Sequence, residues 1–73
     1  MKLTELKKNQ KAVIKSINAS PELKQRLLSL GIVKGAEIRV VDCSLGKSTI
    51  EVEVGNTLVA LRNSEAELIE VEQ

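Results

Sequence analysis

The sequence has no phenylalanine, tyrosine, tryptophan or histidine, and it has one cysteine among its 73 residues. Without histidine, a Ser-His or Cys-His nucleophilic pair cannot form within the chain, and the usual structural zinc ligand sets cannot be assembled. A single cysteine excludes an internal disulfide. Because the apolar fraction of 42% contains no aromatic residue, we expect a core of leucine, valine and isoleucine. We therefore predict a binding protein and not an enzyme.

The sequence also lacks a marked net charge and a long apolar run. Its 11 basic and 10 acidic residues give a net charge of +1, which provides little long-range attraction to nucleic acid or to an anionic membrane. No apolar run approaches the roughly 20 residues that span a bilayer, and the N-terminus lacks the apolar core of a signal peptide. We expect one soluble, cytoplasmic domain over residues 1–73, with no nucleic-acid partner and no membrane insertion.

A short amphipathic helix is predicted after the only proline. Ser20 can serve as N-cap, and Pro21 suits the first helical position. Leu23, Leu27 and Leu30 follow at i, i+4 and i+7, so they form one narrow apolar stripe. We expect the helix to run to Leu30 and to depend on packing of that stripe, because an isolated helix of about ten residues is marginal in water.

This helix is predicted to end in a glycine cap that leads into a strand. Gly31 stands at C′, where positive φ is favoured, which makes Leu27 and Ile32 the C3 and C″ pair of a Schellman motif. Gly35 supplies a second permissive position, and from Ala36 the apolar period changes to 2. The residues that we assign to architecture are Leu27, Leu30, Gly31, Ile32 and Gly35.

Five short strands are predicted from alternating apolar and polar residues, over residues 11–17, 36–41, 49–54, 57–61 and 68–71. Gly55-Asn56 predicts a type II′ hairpin turn. Two helical turns are predicted, one N-capped by Thr4 and one opened by a Ser64–Glu67 capping box. Because closure protects strand edges, we predict a mainly β fold, a small SH3-like β-barrel of about five antiparallel strands with one inserted α-helix.

Three segments of the chain resemble one known family. Residues 26–41, RLLSLGIVKGAEIRVV, resemble its pattern of a leucine-rich helix end, glycine, an apolar residue, glycine and a strand. Residues 60–71, ALRNSEAELIEV, resemble its closing strand, turn and strand, and residues 3–17 resemble its opening. Over nearly its whole length the sequence is similar to the FeoA family. It departs at Lys8-Asn9, where the family often has Pro-Gly, and at Thr57 and Leu58, where an aromatic residue is common.

The resemblance implies a small accessory protein of bacterial ferrous iron uptake. FeoA proteins act with FeoB, a membrane transporter with a cytosolic GTPase domain, so we expect binding to that cytosolic part and an effect on assembly or GTPase activity through a population shift. The alternative is an SH3-like metal- or peptide-sensing module of an iron-dependent regulatory system. A nucleic-acid-binding barrel is disfavoured because no aromatic side chain can stack on a base.

The partner surface is predicted from residues that the fold does not require. Leu28 lies off the leucine stripe, Leu45 stands at a hairpin tip, and Lys24 and Arg26 are basic residues of the helix. Each also has a structural interpretation: Leu28 in a widened core, Leu45 folded over an open barrel end, and the two basic residues on a solvated helix face. Partly open strand edges leave a weak homo-oligomer as a further option.

A tight metal site is not expected. Cys43 is the only soft ligand, and Asp42 could join it in a weak site for Fe²⁺ or another divalent ion. Because a tight site needs three or four convergent ligands, we expect Cys43 to be a small hydrophobic residue at a strand end, and we expect no cofactor.

Overall fold

The computed structural model describes residues 1–42 and 48–73. The strands are β1 (Lys11–Ile17), β2 (Glu37–Asp42), β3 (Thr49–Val54), β4 (Thr57–Arg62) and β5 (Ile69–Glu72). Helix α1 spans Pro21–Ser29, helix α2 spans Asn63–Ala66, and a 3₁₀ turn spans Leu3–Glu5. Within the described ranges, no helix combines the length and apolarity needed to cross a membrane. The predicted mainly β fold with one inserted helix is confirmed.

The strands form one antiparallel sheet in the order β4-β3-β2-β1-β5. β3 and β4 pair from Val54 opposite Thr57 to Thr49 opposite Arg62, so the hairpin loop has two residues. Gly55 has φ 61°. Asn56, the second loop residue, does not have a positive φ, since Asn9 is the non-glycine residue with positive φ in the described part of the chain. A positive φ at the first loop position alone fits the predicted type II′ turn.

A β-bulge explains the irregular alternation of β1. Ile14 pairs with Val71, but the next paired residue of β1 is Ser16, opposite Glu70. The extra residue, Lys15, shifts the alternation by one, so Ile17 returns to the inner side and packs against the core. β2 has a second register shift between Val40 and Asp42, after which Asp42 lies opposite Glu51.

The predicted closed barrel is wrong in one respect, because the sheet is not closed. β4 and β5 are its two edges, and no strand pairing joins them in the described residues. Instead, Leu3 and Leu6 near the N-terminus and Ala66 of α2 are buried in the same core cluster as the strands. The 3₁₀ turn contacts both α2 and β5. Short helical segments therefore cover the side that strand pairing would otherwise close.

The predicted Schellman cap at the end of α1 is confirmed. The predicted N-cap at the start of α1 is confirmed as well, since Ser20 Oγ accepts a hydrogen bond from Leu23 N (3.2 Å). The C-terminal cap is formed by the following residues. Gly31 has φ 90°, and Ile32 N donates to Leu27 O (2.9 Å). Gly31 N also donates to Leu28 O (3.0 Å), which completes the two bonds of the motif. The cap therefore seats Ile32 against Leu27, and both side chains are buried.

The architectural residues behave as predicted, with graded burial. Leu27 and Ile32 are fully buried, and Leu23 and Leu30 are partly buried against the core. Gly35 has φ 92°, and its N–H donates to Ile14 O (2.8 Å). This bond ties the segment after α1 to β1.

Both predicted capping residues of the short helical turns are wrong. The 3₁₀ turn is N-capped at Lys2, whose N–H donates to Glu5 Oε1 (2.6 Å), and not at Thr4. Helix α2 begins at Asn63, and Glu65 Oε1 accepts from Arg62 N (3.0 Å). The Ser64–Glu67 box does not form because β4 continues to Arg62 and α2 starts before Ser64. In both turns the glutamate at N3 reaches back to the N-cap backbone.

Candidate functional site: a lysine-rimmed groove beside α1

A groove of about 480 Å³ lies between α1, the end of β1 and the segment that follows α1. We call it the α1 groove. Its apolar lining comes from Ile17, Leu28, Ile32 and Val33, and its basic lining comes from Lys15, Lys24 and Lys34. Ser16 and Asn18 complete the lining, and no acidic residue among residues 1–42 and 48–73 contributes to it.

Two local features build the apolar part of the α1 groove. The glycine cap turns the chain so that Ile32, 1% exposed, lies under the helix end. Leu28 lies off the buried stripe and stays 52% exposed. Because Lys24 and Leu28 are four residues apart on α1, they share one side of the helix. The groove thus places an exposed leucine beside a basic residue.

Backbone hydrogen bonds between two distant segments position the other two lysines at the α1 groove. Lys15 is the bulged residue of β1. Ile14 N donates to Ala36 O (2.9 Å) and Gly35 N donates to Ile14 O (2.8 Å), so residues 34–36 lie beside the bulge. This pairing places Lys34 near Lys15.

The lysines of the α1 groove are exposed and have no counter-charge in the part of the chain that the structure describes. In residues 1–42 and 48–73, the side chains of Lys15, Lys24 and Lys34 take part in no ion pair or hydrogen bond. Three like charges around an apolar depression, without an acidic neighbour among the described lining residues, produce a positive local potential.

The structure brings together two of the four residues predicted for partner binding. Lys24 and Leu28 both line the α1 groove. Arg26 points elsewhere: its Nη1 is 2.6 Å from Glu65 Oε2 of α2. Leu45 lies outside the described residues. The core interpretation of Leu28 is wrong, since its side chain is half exposed.

The Arg26–Glu65 ion pair connects α1 to α2. Burial of the Glu65 side chain, 14% exposed, acts to raise its pKa. The hydrogen bond from the Arg62 backbone, the hydrogen bond from Arg26 and the charges of both arginines together outweigh that effect. The pKa of Glu65 therefore lies below its usual value, and the carboxylate form is favoured in the folded protein.

The residues predicted for weak metal binding do not form a described site. Asp42 is the last residue of β2 and lies opposite Glu51. Cys43 falls outside the described residues. Among the residues that the structure does describe, no group of three acidic or thiol side chains converges to hold a metal ion. The expectation of a weak site or none stays a prediction.

Sequence reasoning missed the separation of charge along the chain. Residues 1–34 contain eight of the 11 basic residues and only two of the 10 acidic ones, a net charge of +6. Residues 35–73 carry the other three basic and eight acidic residues, a net charge of −5. The total of +1 conceals this asymmetry, which was readable from the sequence and which places the α1 groove in the basic half.

Together, the open five-stranded sheet and the inserted helix define a small SH3-like domain. A crystal structure of Stenotrophomonas maltophilia FeoA with zinc, described as a prokaryotic SH3 domain protein, superposes with a TM-score of 0.85 at 39% identity. That alignment covers 99% of this chain and 89% of the other.

The chain belongs to the FeoA family, since the FeoA domain model matches residues 1–73. A putative Fe(2+) transport protein A of Campylobacter jejuni is 48% identical over 97% of this chain and 96% of its own length. A fusion of Fe(2+) transport protein A with the Fe(2+) transporter FeoB, from Porphyromonas gingivalis, is 33% identical. The match to that fusion covers 99% of this chain and 8% of the fusion protein.

Proposed function

We propose that this protein is a cytosolic accessory component of ferrous iron uptake that binds the cytosolic part of a FeoB-like transporter. The observation that carries the proposal is the Porphyromonas gingivalis relative, in which the same kind of domain and the transporter share one chain. Fusion keeps two partners at a high effective concentration, which is useful when they act together. The relatives named as Fe(2+) transport proteins support the same role.

The α1 groove is the surface that we assign to this contact. It combines an exposed leucine with three lysines that have no counter-charge in the described structure. The chain has no histidine and only one cysteine, so its effect on the transporter is expected to come from binding. A preference for one state of the GTPase domain would shift that domain's population without any chemistry by this chain.

A capture experiment tests the proposal. The tagged protein is mixed with the purified cytosolic domain of the FeoB-like transporter, and in parallel with the whole transporter in detergent. We expect capture of at least one of them, and loss of capture with Leu28→Asp. Leu58→Asp, at an equally exposed leucine of the sheet, is the matched control and should be captured like the wild type.

Failure to capture either form of the transporter would contradict the proposal. Equal loss of capture with Leu28→Asp and Leu58→Asp would contradict the assignment to the α1 groove. GTP hydrolysis by the captured complex is the second readout, and we expect its rate to differ from that of the transporter domain alone. The alternative, a sensing module of a regulatory system, has no specific observation in its favour.

A further inference from the structure

We propose that the α1 groove accepts a peptide segment in which carboxylates flank one apolar side chain. The proposal deepens the transporter contact and rests on it, because the segment would belong to the partner. It concerns what the groove recognises, a question that the family relationship does not answer.

The apolar lining argues for one anchoring side chain. Leu28 is 52% exposed, while Ile32 beneath it is 1% exposed, so the depression has an apolar base and an accessible wall. A volume of about 480 Å³ falls in the range of ligand clefts, roughly 300–1,000 Å³. The recess is therefore large enough to take an apolar side chain of a partner segment.

The basic lining argues for carboxylates on both sides of that anchor. Lys15 comes from β1, Lys34 from the segment after α1 and Lys24 from the helix, so each of the three segments that line the groove contributes a positive charge. None of these three ammonium groups has an ion-pair partner in the described residues. An acidic segment would supply the missing counter-charges and bury little unpaired polar surface.

Other anionic partners fit the groove less well. Nucleic acid recognition generally uses aromatic stacking and arginine forks, but the sequence has no aromatic residue and the described lining of the groove has no arginine. An anionic membrane attracts through a broad charged surface, whereas three lysines around a recess present a small one. The recess itself favours an extended peptide with one apolar anchor.

Fluorescence anisotropy with synthetic peptides tests the inference directly. The probe is a labelled, end-blocked peptide with one central leucine flanked on each side by glutamates. One control peptide has glutamine for every glutamate, and another has serine for the leucine. We expect the probe to bind at least about tenfold more tightly than either control, with affinity falling as salt is raised.

Matched protein variants show whether the peptide occupies this groove. We expect Leu28→Ser to weaken binding by about tenfold and Lys24→Gln by several-fold. Leu58→Ser and Lys11→Gln, at exposed positions that do not line the groove, should bind the probe like the wild type. Circular dichroism of each variant confirms that it is folded.

Three outcomes would overturn the inference: equal binding of the acidic and glutamine peptides, equal loss with Leu28→Ser and Leu58→Ser, or binding to phosphatidylglycerol vesicles without binding to the probe. Because the peptides need no transporter, the two proposals can fail separately. Capture of the transporter without peptide binding would refute only the inference, whereas peptide binding without capture would refute the proposed partner.

Discussion

Two surfaces of this small domain each expose a leucine next to charged residues, yet they differ in how the charges are matched. On the outer face of the sheet, Arg39, Glu53 and Leu58 lie side by side on β2, β3 and β4, and we call them the outer row. Leu58 is 59% exposed, slightly more than Leu28 at 52%. Exposure alone would therefore rank the outer row above the α1 groove as a contact surface.

Charge pairing reverses that ranking. Arg39 Nη2 is 2.8 Å from Glu53 Oε1, and Arg39 Nη1 donates to Asn9 Oδ1 (3.1 Å), so the outer row satisfies its own charges. The α1 groove contains three lysines and, among its described residues, no aspartate or glutamate. A surface that is internally compensated gains little from a charged partner, whereas an uncompensated one gains attraction and selectivity. By this criterion the α1 groove ranks above the outer row as the proposed contact surface.

The largest effect is expected from removing the glycine cap at the end of α1, which positions Ile32 in the α1 groove. Gly31→Val should lower the free energy of unfolding by about 1–2 kcal/mol, because valine is strained at φ 90°. A steric clash does not cause the loss, since a Cβ at Gly31 would lie 3.7 Å from Val54 Cγ1, which is an ordinary van der Waals contact. Urea denaturation measures the change. Gly31→Asn is the matched control and should lose less, because asparagine tolerates positive φ. A Gly31→Val protein as stable as the wild type would contradict the role assigned to this cap.

A second prediction concerns Arg26, which was predicted to contact another protein but forms an ion pair with Glu65 within the chain. Glu65→Gln keeps an oxygen that can accept from Arg62 N but removes the charge beside Arg26, so we expect a loss of about 0.5–1 kcal/mol at neutral pH. Because the folded-state pKa of Glu65 is lowered, this contribution is present above the unfolded-state pKa and is lost as the pH falls through the folded-state pKa.

The measurement for Glu65 is urea denaturation of the wild type and Glu65→Gln over a series of pH values. The difference between their free energies of unfolding should shrink as the pH falls below the usual glutamate pKa of about 4.3. Glu67→Gln, at a neighbouring exposed carboxylate, is the control and should show a smaller difference. A wild-type advantage that stays constant down to acid pH would contradict the ion-pair account.

The smallest expected effect separates the two surfaces most directly. A double-mutant cycle on Arg39→Ala and Glu53→Ala should give a coupling energy of about 0.2–1 kcal/mol that falls at high salt. Lys24→Gln should change stability by less than about 0.5 kcal/mol, because Lys24 has no ion-pair partner in the described structure. A coupling energy of zero between Arg39 and Glu53, or a clear loss of stability for Lys24→Gln, would contradict the difference in charge pairing between the outer row and the α1 groove.

Features that depend on neighbours in the sequence were predicted well. The strand β1 over residues 11–17, the Ser20 N-cap, the glycine cap at Gly31 and the type II′ turn at Gly55 all match the structure. The capping residues of the two short helical turns are not predicted correctly, because the turns begin earlier than the sequence pattern indicates. The 3₁₀ turn begins at Leu3, and α2 begins at Asn63 directly after β4 ends at Arg62.

The candidate site was predicted only in part. Lys24 and Leu28 were identified because both lie on α1 and outside its leucine stripe. Lys15 and Lys34 were missed, since no local pattern distinguishes a bulged strand lysine or a turn lysine from a solvated one. The early concentration of basic residues was a readable signal that the net charge of +1 concealed.

By itself, the sequence determined the aliphatic core, the ends of α1 and the alternating faces of the strands, because these follow from residue type and short-range periodicity. Only the tertiary structure decided that the sheet stays open and that the lysines at 15, 24 and 34 surround one recess. That arrangement depends on the bulge in β1 and on hydrogen bonds between residues about 20 positions apart, such as Gly35 N to Ile14 O. No local pattern specifies such long-range pairings.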